Sequence, residues 1–141
     1  MKGERVNNMK PTLLRWDDLE WEPMPRHPGL FHKEILSKED WEKIDLRIWK
    51  VLIEKIEPGG AVLPHYHDVA EIIHFLEEEV SVILGEKRTT CHPGDSLVVP
   101  AGTVHSVANK GACGTKQISF FLPHTGKEDY GHTELVEGIE I

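Results

Sequence analysis

Four side chains in two stretches of the chain carry donor atoms suited to a transition metal. His65, His67 and Glu71 lie in PGGAVLPHYHDVAEIIHFLEEE, and His105 lies in PGDSLVVPAGTVHSVANKG. His65 and His67 are two residues apart, so on a strand both point to one face while Tyr66 points to the other. A short turn at 68–70 then leaves Glu71 opening the next strand and aimed into the same space. Its face continues with Ile73 and Phe75, an apolar wall, and His105 shares its own face with Val107 and Asn109. Three imidazoles and one carboxylate converging inside a barrel form a site for a first-row metal with two octahedral positions open. Ile73, Phe75 and Val107 are the expected pocket lining. A bare H-x-H pair is common on surface strands, so the weight falls on what surrounds it.

The elements that must position these residues are short. Runs rich in Val, Ile and Leu at 46–56, 61–67, 70–76, 80–84, 96–99, 104–108 and 115–122 predict strands. Each is bounded by turn residues such as Pro58-Gly59-Gly60, Gly85, Pro93-Gly94-Asp95, Pro100-Ala101-Gly102 and Asn109-Lys110-Gly111. Many short strands at regular spacing indicate an all-β sandwich or barrel, and no alternating helix pattern supports a parallel α/β sheet. Residues 29–36 read as a further strand, and Ser37 ahead of Lys38-Glu39-Asp40-Trp41 as a capped helical turn. Residues 1–28, with Pro11, Pro23, Pro25 and Pro28, read as an N-terminal arm with a helical turn over 12–20 capped by Thr12. Trp16 and Trp21 in that arm need cover from the chain's own body or from a second copy. The barrel is expected over 29–125, and 126–141 as a Gly- and acid-rich tail over the surface.

The spacing of the turn residues gives the histidines their meaning. Gly59 stands six residues before His65, and Gly94, Pro100, Gly102, His105 and Asn109 follow at intervals of six, two, three and four. This resembles the two-part motif of the cupin superfamily, a glycine, five residues, H-x-H, three or four residues and E, then G, five residues, P-x-G, two residues, H, three residues and N. The second part is present at every fixed position. The first lacks only its closing glycine, where the chain has Glu78 within Glu77-Glu78-Glu79. A non-glycine residue held there in a left-handed backbone costs roughly 1 kcal/mol. The motif covers about residues 59–109, and the strand pattern extends the likeness over 29–123. The resemblance implies a double-stranded β-helix (jelly-roll) barrel, with His65, His67, Glu71 and His105 as ligands of one divalent transition metal. Fe, Mn, Ni and Zn all suit that donor set, as does Cu.

Other candidates carry less. His74 lies on the face opposite Glu71 and reads as packing or interface, and His92 as a solvated turn residue. Ser106 and Tyr66 point away from the metal face, so no Ser-His-Asp relay is indicated. Cys91 and Cys113 form no CxxC and read as separate thiols in a reducing compartment. The start of the chain, MKGERVNNMK, has no apolar stretch of signal-peptide type, which predicts a cytoplasmic protein.

The 141 residues suffice for one domain. The net charge is −8, and 58–141, with 5 basic and 12 acidic residues, carries −7 of it. That excess argues against a nucleic-acid backbone as partner and suits a bound cation. No apolar run approaches the ~20 residues of a membrane span. The pocket reads as mostly apolar, for a neutral or singly charged small molecule, with Arg47 or Lys50 the nearest cations that could clamp an anion. Three readings of function follow. One is a metal-dependent enzyme of dioxygenase or isomerase type, with no general base assignable. Another is a non-catalytic small-molecule-binding or sensor cupin, and the third a barrel whose metal serves stability alone. A homodimer is the expected assembly.

Overall fold

Twelve strands carry the fold, in a computed structural model that describes residues 10–23, 25–29, 31–33, 35, 48–123 and 132–141. In chain order they are β1 (Thr12–Leu14), β2 (Glu22–Pro23), β3 (Phe31–His32), β4 (Lys50–Ile56), β5 (Ala61–His67) and β6 (Ala70–Glu77). There follow β7 (Val80–Leu84), β8 (Lys87–Cys91), β9 (Ser96–Val99), β10 (His105–Ala108), β11 (Thr115–Leu122) and β12 (Thr133–Leu135). They form two five-stranded antiparallel sheets, β1-β9-β6-β11-β4 and β12-β5-β10-β7-β8, with β2-β3 as a separate ribbon. This is the all-β barrel expected from the strand pattern, in the double-stranded β-helix form that the resemblance implied. Among the described residues the helical structure is a single 3-10 turn at Trp16–Asp18, and no helix is long and apolar enough to cross a membrane.

Alternation along the strands builds the core. On β6, Glu71, Ile73 and Phe75 are buried, and Val80, Val82 and Leu84 of β7 do the same from the other sheet. They meet Leu97, Val99 and Val107 in one apolar cluster, to which Leu13 of β1 adds a flank. Cys91 lies inside this cluster, where burial and the charge of Asp95 push its thiol up to about 12, whereas Cys113 is exposed, and neither is in a disulfide.

Three local expectations are corrected. Residues 12–14 are a strand rather than the start of a helical turn, because Thr12, Leu13 and Leu14 pair with Val98, Leu97 and Ser96. Thr12 caps no helix, its hydroxyl donating to Lys10 O instead. The tail is not merely laid over the surface, since Thr133–Leu135 pairs with His67–His65 as an edge strand. The run 46–56 contributes a strand only from Lys50, with residues 46–47 outside the described residues. The strand expected over 29–36 is represented by Phe31–His32. The turn at 37–41 and residues 1–9 also lie outside the described residues.

The tie of the N-terminal segment to the barrel explains one motif glycine. Gly94 has φ +93°, and a Cβ there would lie 3.0 Å from Trp16 Cβ and Cγ, so the indole of Trp16 occupies the space glycine leaves. Trp16 is capped edge-to-face by Trp21 (centroids 5.5 Å apart) and by Lys33 Nζ at 3.8 Å from its ring. The arm's tryptophans are thus partly covered by the chain itself, Trp21 more exposed than Trp16.

Glu78 sits where the chain leaves one sheet for the other and takes φ +61°, the left-handed backbone that its place in the motif implies. Its replacement by glycine should raise stability by roughly 0.5–1 kcal/mol, strain relief outweighing glycine's extra chain entropy. Urea denaturation will read this as a higher midpoint at unchanged slope. A midpoint equal to or below the wild type's would show that the turn has relaxed around Glu78.

Candidate metal centre

The four candidate side chains come from three strands of the two facing sheets. His65 and His67 stand on β5, His105 pairs directly with His65 from β10, and Glu71 opens β6 across the barrel. A bulge sets the histidine register. His105 pairs with His65 but Val107 with Val62, so β5 sets two residues, Leu63 and Pro64, opposite the single Ser106. Val62 therefore packs against the core although it is three residues from His65, while Leu63 is exposed.

The imidazoles are oriented by the backbone. His65 Nδ1 donates to Leu63 O (2.7 Å), His67 Nδ1 to Val69 O (2.8 Å) and His105 Nδ1 to Thr103 O (2.8 Å). A carbonyl only accepts, so each Nδ1 carries the hydrogen and each neutral ring keeps its lone pair on Nε2. The ring centroids are 4.3 Å (His65–His105), 4.8 Å (His67–His105) and 5.3 Å (His65–His67) apart, and one ligand nitrogen from each ring lies within 4.8 Å of the others.

Glu71 completes the group. Its Oε1 lies 2.9 Å from His67 Nε2 and 3.2 Å from His105 Nε2, and accepts a hydrogen bond wherever those nitrogens carry a proton. Burial raises its pKa, but the hydrogen bonds from His105 and His67 outweigh burial and hold the carboxyl at about 2. Burial, with the neighbouring His105, pushes His65 below the usual imidazole range. His67 moves the other way, because its hydrogen bond to Glu71 and that carboxylate's charge outweigh the effect of burial. At neutral pH the cluster thus joins an ionised carboxylate to imidazole nitrogens, a donor set that fits a divalent cation.

The other motif residues hold this geometry. Gly102 N donates to His67 O (2.9 Å), fastening the turn before β10 onto a histidine of β5. Asn109 is buried and works as a clasp. Its Nδ2 donates to Ile56 O and Cys113 O (both 2.8 Å), and its Oδ1 accepts from Gly111 N. His74 faces away from the cluster and shares a 2.7 Å hydrogen bond with Ser96 Oγ. His92 is an exposed turn residue whose rim partners are Glu79 and Asp95. Ile73, Phe75 and Val107 lie inside the barrel, in its packed apolar core.

Sequence reasoning missed the polar side of the interior. Glu71 pairs with Phe121 and Phe121 with Lys50, so these share one inward row. The Phe121 ring lies 5.7 Å from that of His67. The next inward positions on β11 are Ser119 and Gln117, both fully buried, so the interior is not apolar throughout. The alternation of β11 was the available signal, but it does not say which face turns inward.

Two facing antiparallel sheets with three histidines and a carboxylate between them define a β-barrel of cupin type with a candidate metal centre. Residues 52–116 match the cupin domain family, and the chain is similar in fold to cupin proteins of known structure. Among solved structures it is similar to a cupin 2 domain-containing protein from Halorhodospira halophila (12% identity, TM-score 0.59, covering 90% of this chain and 82% of that one). It is also similar to a predicted oxalate decarboxylase from Thermotoga maritima (23% identity, TM-score 0.51, covering 78% and 97%). It further matches the salicylate 1,2-dioxygenase from Pseudaminobacter salicylatoxidans (15% identity, TM-score 0.47), covering 50% of this chain and 20% of that longer one. At these identities the likeness is one of fold. No curated protein sequence is significantly similar to the chain.

Proposed function

We propose that the protein is a metal-binding cupin in which His65, His67, Glu71 and His105 hold one divalent transition metal and a small molecule reacts beside it, in an oxygenase- or isomerase-type reaction. The observation that carries this reading is the set of three Nδ1–H···O=C bonds, which leaves the Nε2 of each ring as its ligand atom, gathered beside an ionised carboxylate. An ion there would replace any proton that His67 or His105 shares with Glu71. Outer hydrogen bonds of this kind fix the tautomer of a metal-binding histidine and raise its basicity. A bound ion would supply Lewis-acid polarisation of the substrate, or redox chemistry if it is Fe or Mn. The chain's own part is orientation and exclusion of water: Gly102 and Val69 fix His67, the Phe121 ring screens it, and the apolar core closes the barrel behind.

Purified protein loaded in turn with Fe(II), Mn(II), Ni(II) and Zn(II) tests the reading against a panel of small carboxylates, phenols, keto acids and sugars, followed by oxygen uptake and product NMR. Turnover with at least one ion, abolished in His67→Ala, supports it. Ligand-induced melting shifts without product for any ion would assign the barrel to binding or sensing instead.

A further inference from the structure

The inward rows continue past the histidine cluster. After Glu71–Phe121–Lys50 comes Ile73–Ser119–Leu52, then Phe75–Gln117–Glu54. Directly paired residues of antiparallel strands project to the same face, so Ser119, Gln117 and Glu54 share the side that bears Glu71. Ser119 Oγ donates to Glu54 Oε1 at 2.8 Å, and Gln117 Nε2 donates to the same oxygen at 3.3 Å. Ser119 and Gln117 are fully buried, and Glu54 is half-buried, so the group can be reached from solvent on the β4 side.

Two features set this cluster apart from a structural network. Gln117 Oε1 is buried and has no hydrogen-bond partner, although buried polar atoms are nearly always satisfied. The charge of Glu54 is also uncompensated, since none of the ion pairs among the described residues includes it. Lys50, two positions from Leu52 on the same inward side, places its Nζ over the rings of Trp49 (4.3 Å) and Phe121 (5.0 Å). A carboxylate and an orphan amide carbonyl side by side are two acceptors awaiting donors, and the negative charge favours a cationic one.

We infer that Glu54 and Gln117, steadied by Ser119, form a subsite for the protonated amine of the small molecule that the barrel binds. This deepens the proposed function and rests on it for the placement of the molecule's other end at the histidine cluster. Gln117 lies four residues along β11 from the row of Glu71, ~13 Å at strand rise. Glu54 Oε1 reaches to within 2.8 Å of Ser119, two residues (~7 Å) from that row, so the span between amine and metal-binding group is ~7–13 Å. The substrate class is therefore a short amino compound bearing a carboxylate or similar ligand group at its far end.

Paired probes read this directly. 5-Aminopentanoate and pentanoate differ in the ammonium alone, and both are titrated by ligand-observed NMR into protein loaded with Zn(II) and into protein stripped with EDTA. The wild type should bind 5-aminopentanoate at least ~10-fold more tightly than pentanoate, as one charge-assisted hydrogen bond allows. Glu54→Gln, nearly isosteric, should bring that ratio to about one while leaving the affinity for pentanoate unchanged. Gln117→Leu, which keeps the carboxylate but removes the carbonyl, should reduce it in part. A wild-type ratio near one, absence of binding by both probes, or a ratio that survives Glu54→Gln overturns the subsite. The wild-type comparison decides the matter even where a variant fails to fold. Failure of the metal reading has a separate signature, an affinity for pentanoate that is the same with and without Zn(II).

Discussion

His105→Ala should lower the affinity for divalent metal by about 100-fold or more, given that removing a mere hydrogen-bond partner of a ligand already costs 10–100-fold. His105 is 1% exposed and pairs with His65 at the centre of its sheet, so its Nε2 cannot be replaced by a neighbouring side chain without breaking the register. Competition against a chromophoric chelator measures the loss. Stability should respond in step. A wild-type protein held at about 1,000 times its metal dissociation constant gains ~4 kcal/mol by mass action, so EDTA should lower its melting temperature markedly. The variant, having little metal to lose, should be nearly indifferent to EDTA. Truncating the ring leaves a void among Leu84, His65 and His67, and that alone destabilises by a few kcal/mol, on the order of other large-to-small core changes. The comparison must therefore be each protein with and without chelator. Equal metal retention by wild type and variant would refute the assignment of His105, and equal indifference to EDTA would refute a metal's share in stability.

Most of the barrel was legible because its strands announce themselves twice, by apolar runs and by the turn residues that end them. The strands at Ala61–His67, Val80–Leu84, Ser96–Val99 and Thr115–Leu122 have the limits read from the sequence. β8, KRTTC, was not legible, since its only buried residue is Cys91 and it is a strand by virtue of pairing with β7 from Val80↔Cys91 to Leu84↔Lys87. β1 was misread for a related reason. Three residues are too few to show a period, and the long-range ladder to β9 outweighs the local cap-like pattern around Thr12.

The convergence of the four donor residues was legible from a two-residue spacing and from the frame of glycines and prolines. The interior chemistry opposite them was not. β11 offers two faces, Lys116–Ile118–Phe120–Leu122 and Thr115–Gln117–Ser119–Phe121, and simple patterning favours the more apolar face as the inner one. The structure reverses this, because Leu122 and Phe120 pack outside the barrel with Ala70 and Ile72 in a second, small apolar cluster. With both faces partly covered, hydrophobicity alone does not choose between them, and the polar residues Gln117 and Ser119 take the inside. The bulge at Leu63–Pro64 was equally invisible, since strict alternation would have buried Leu63, which is 53% exposed.

Asp95→Ala should destabilise the protein by about 2–4 kcal/mol, the range for stripping a buried carboxylate from several donors at once. Asp95 is 3% exposed and accepts from Arg15 Nη1 (2.7 Å), Trp16 N (3.1 Å) and His92 N (2.8 Å). Arg15 in turn donates to Thr90 O and Thr89 Oγ1 on β8, so one carboxylate joins the end of β1, the turn before β9 and the edge of the opposite sheet. Alanine leaves two backbone N–H groups and a guanidinium without their acceptor. The first consequence should be release of Trp16 from Gly94, read as a red shift and loss of tryptophan fluorescence structure ahead of global unfolding. The pH dependence follows from the same contacts. Burial raises the Asp95 pKa, but the backbone N–H of His92 and the Arg15 guanidinium outweigh it and hold the carboxyl below its ordinary value. A carboxyl depressed in the folded state contributes stability that is fully present above its unfolded pKa of ~3.9 and is lost as pH falls through the lower folded value. The stability gap between wild type and Asp95→Asn should therefore be constant from about pH 5 to 8 and close below about pH 4. A gap that stays open in acid, or an Asp95→Ala protein as stable as the wild type, would mean that the N-terminal segment is held by the packing of Leu13 and Trp16 rather than by this charge.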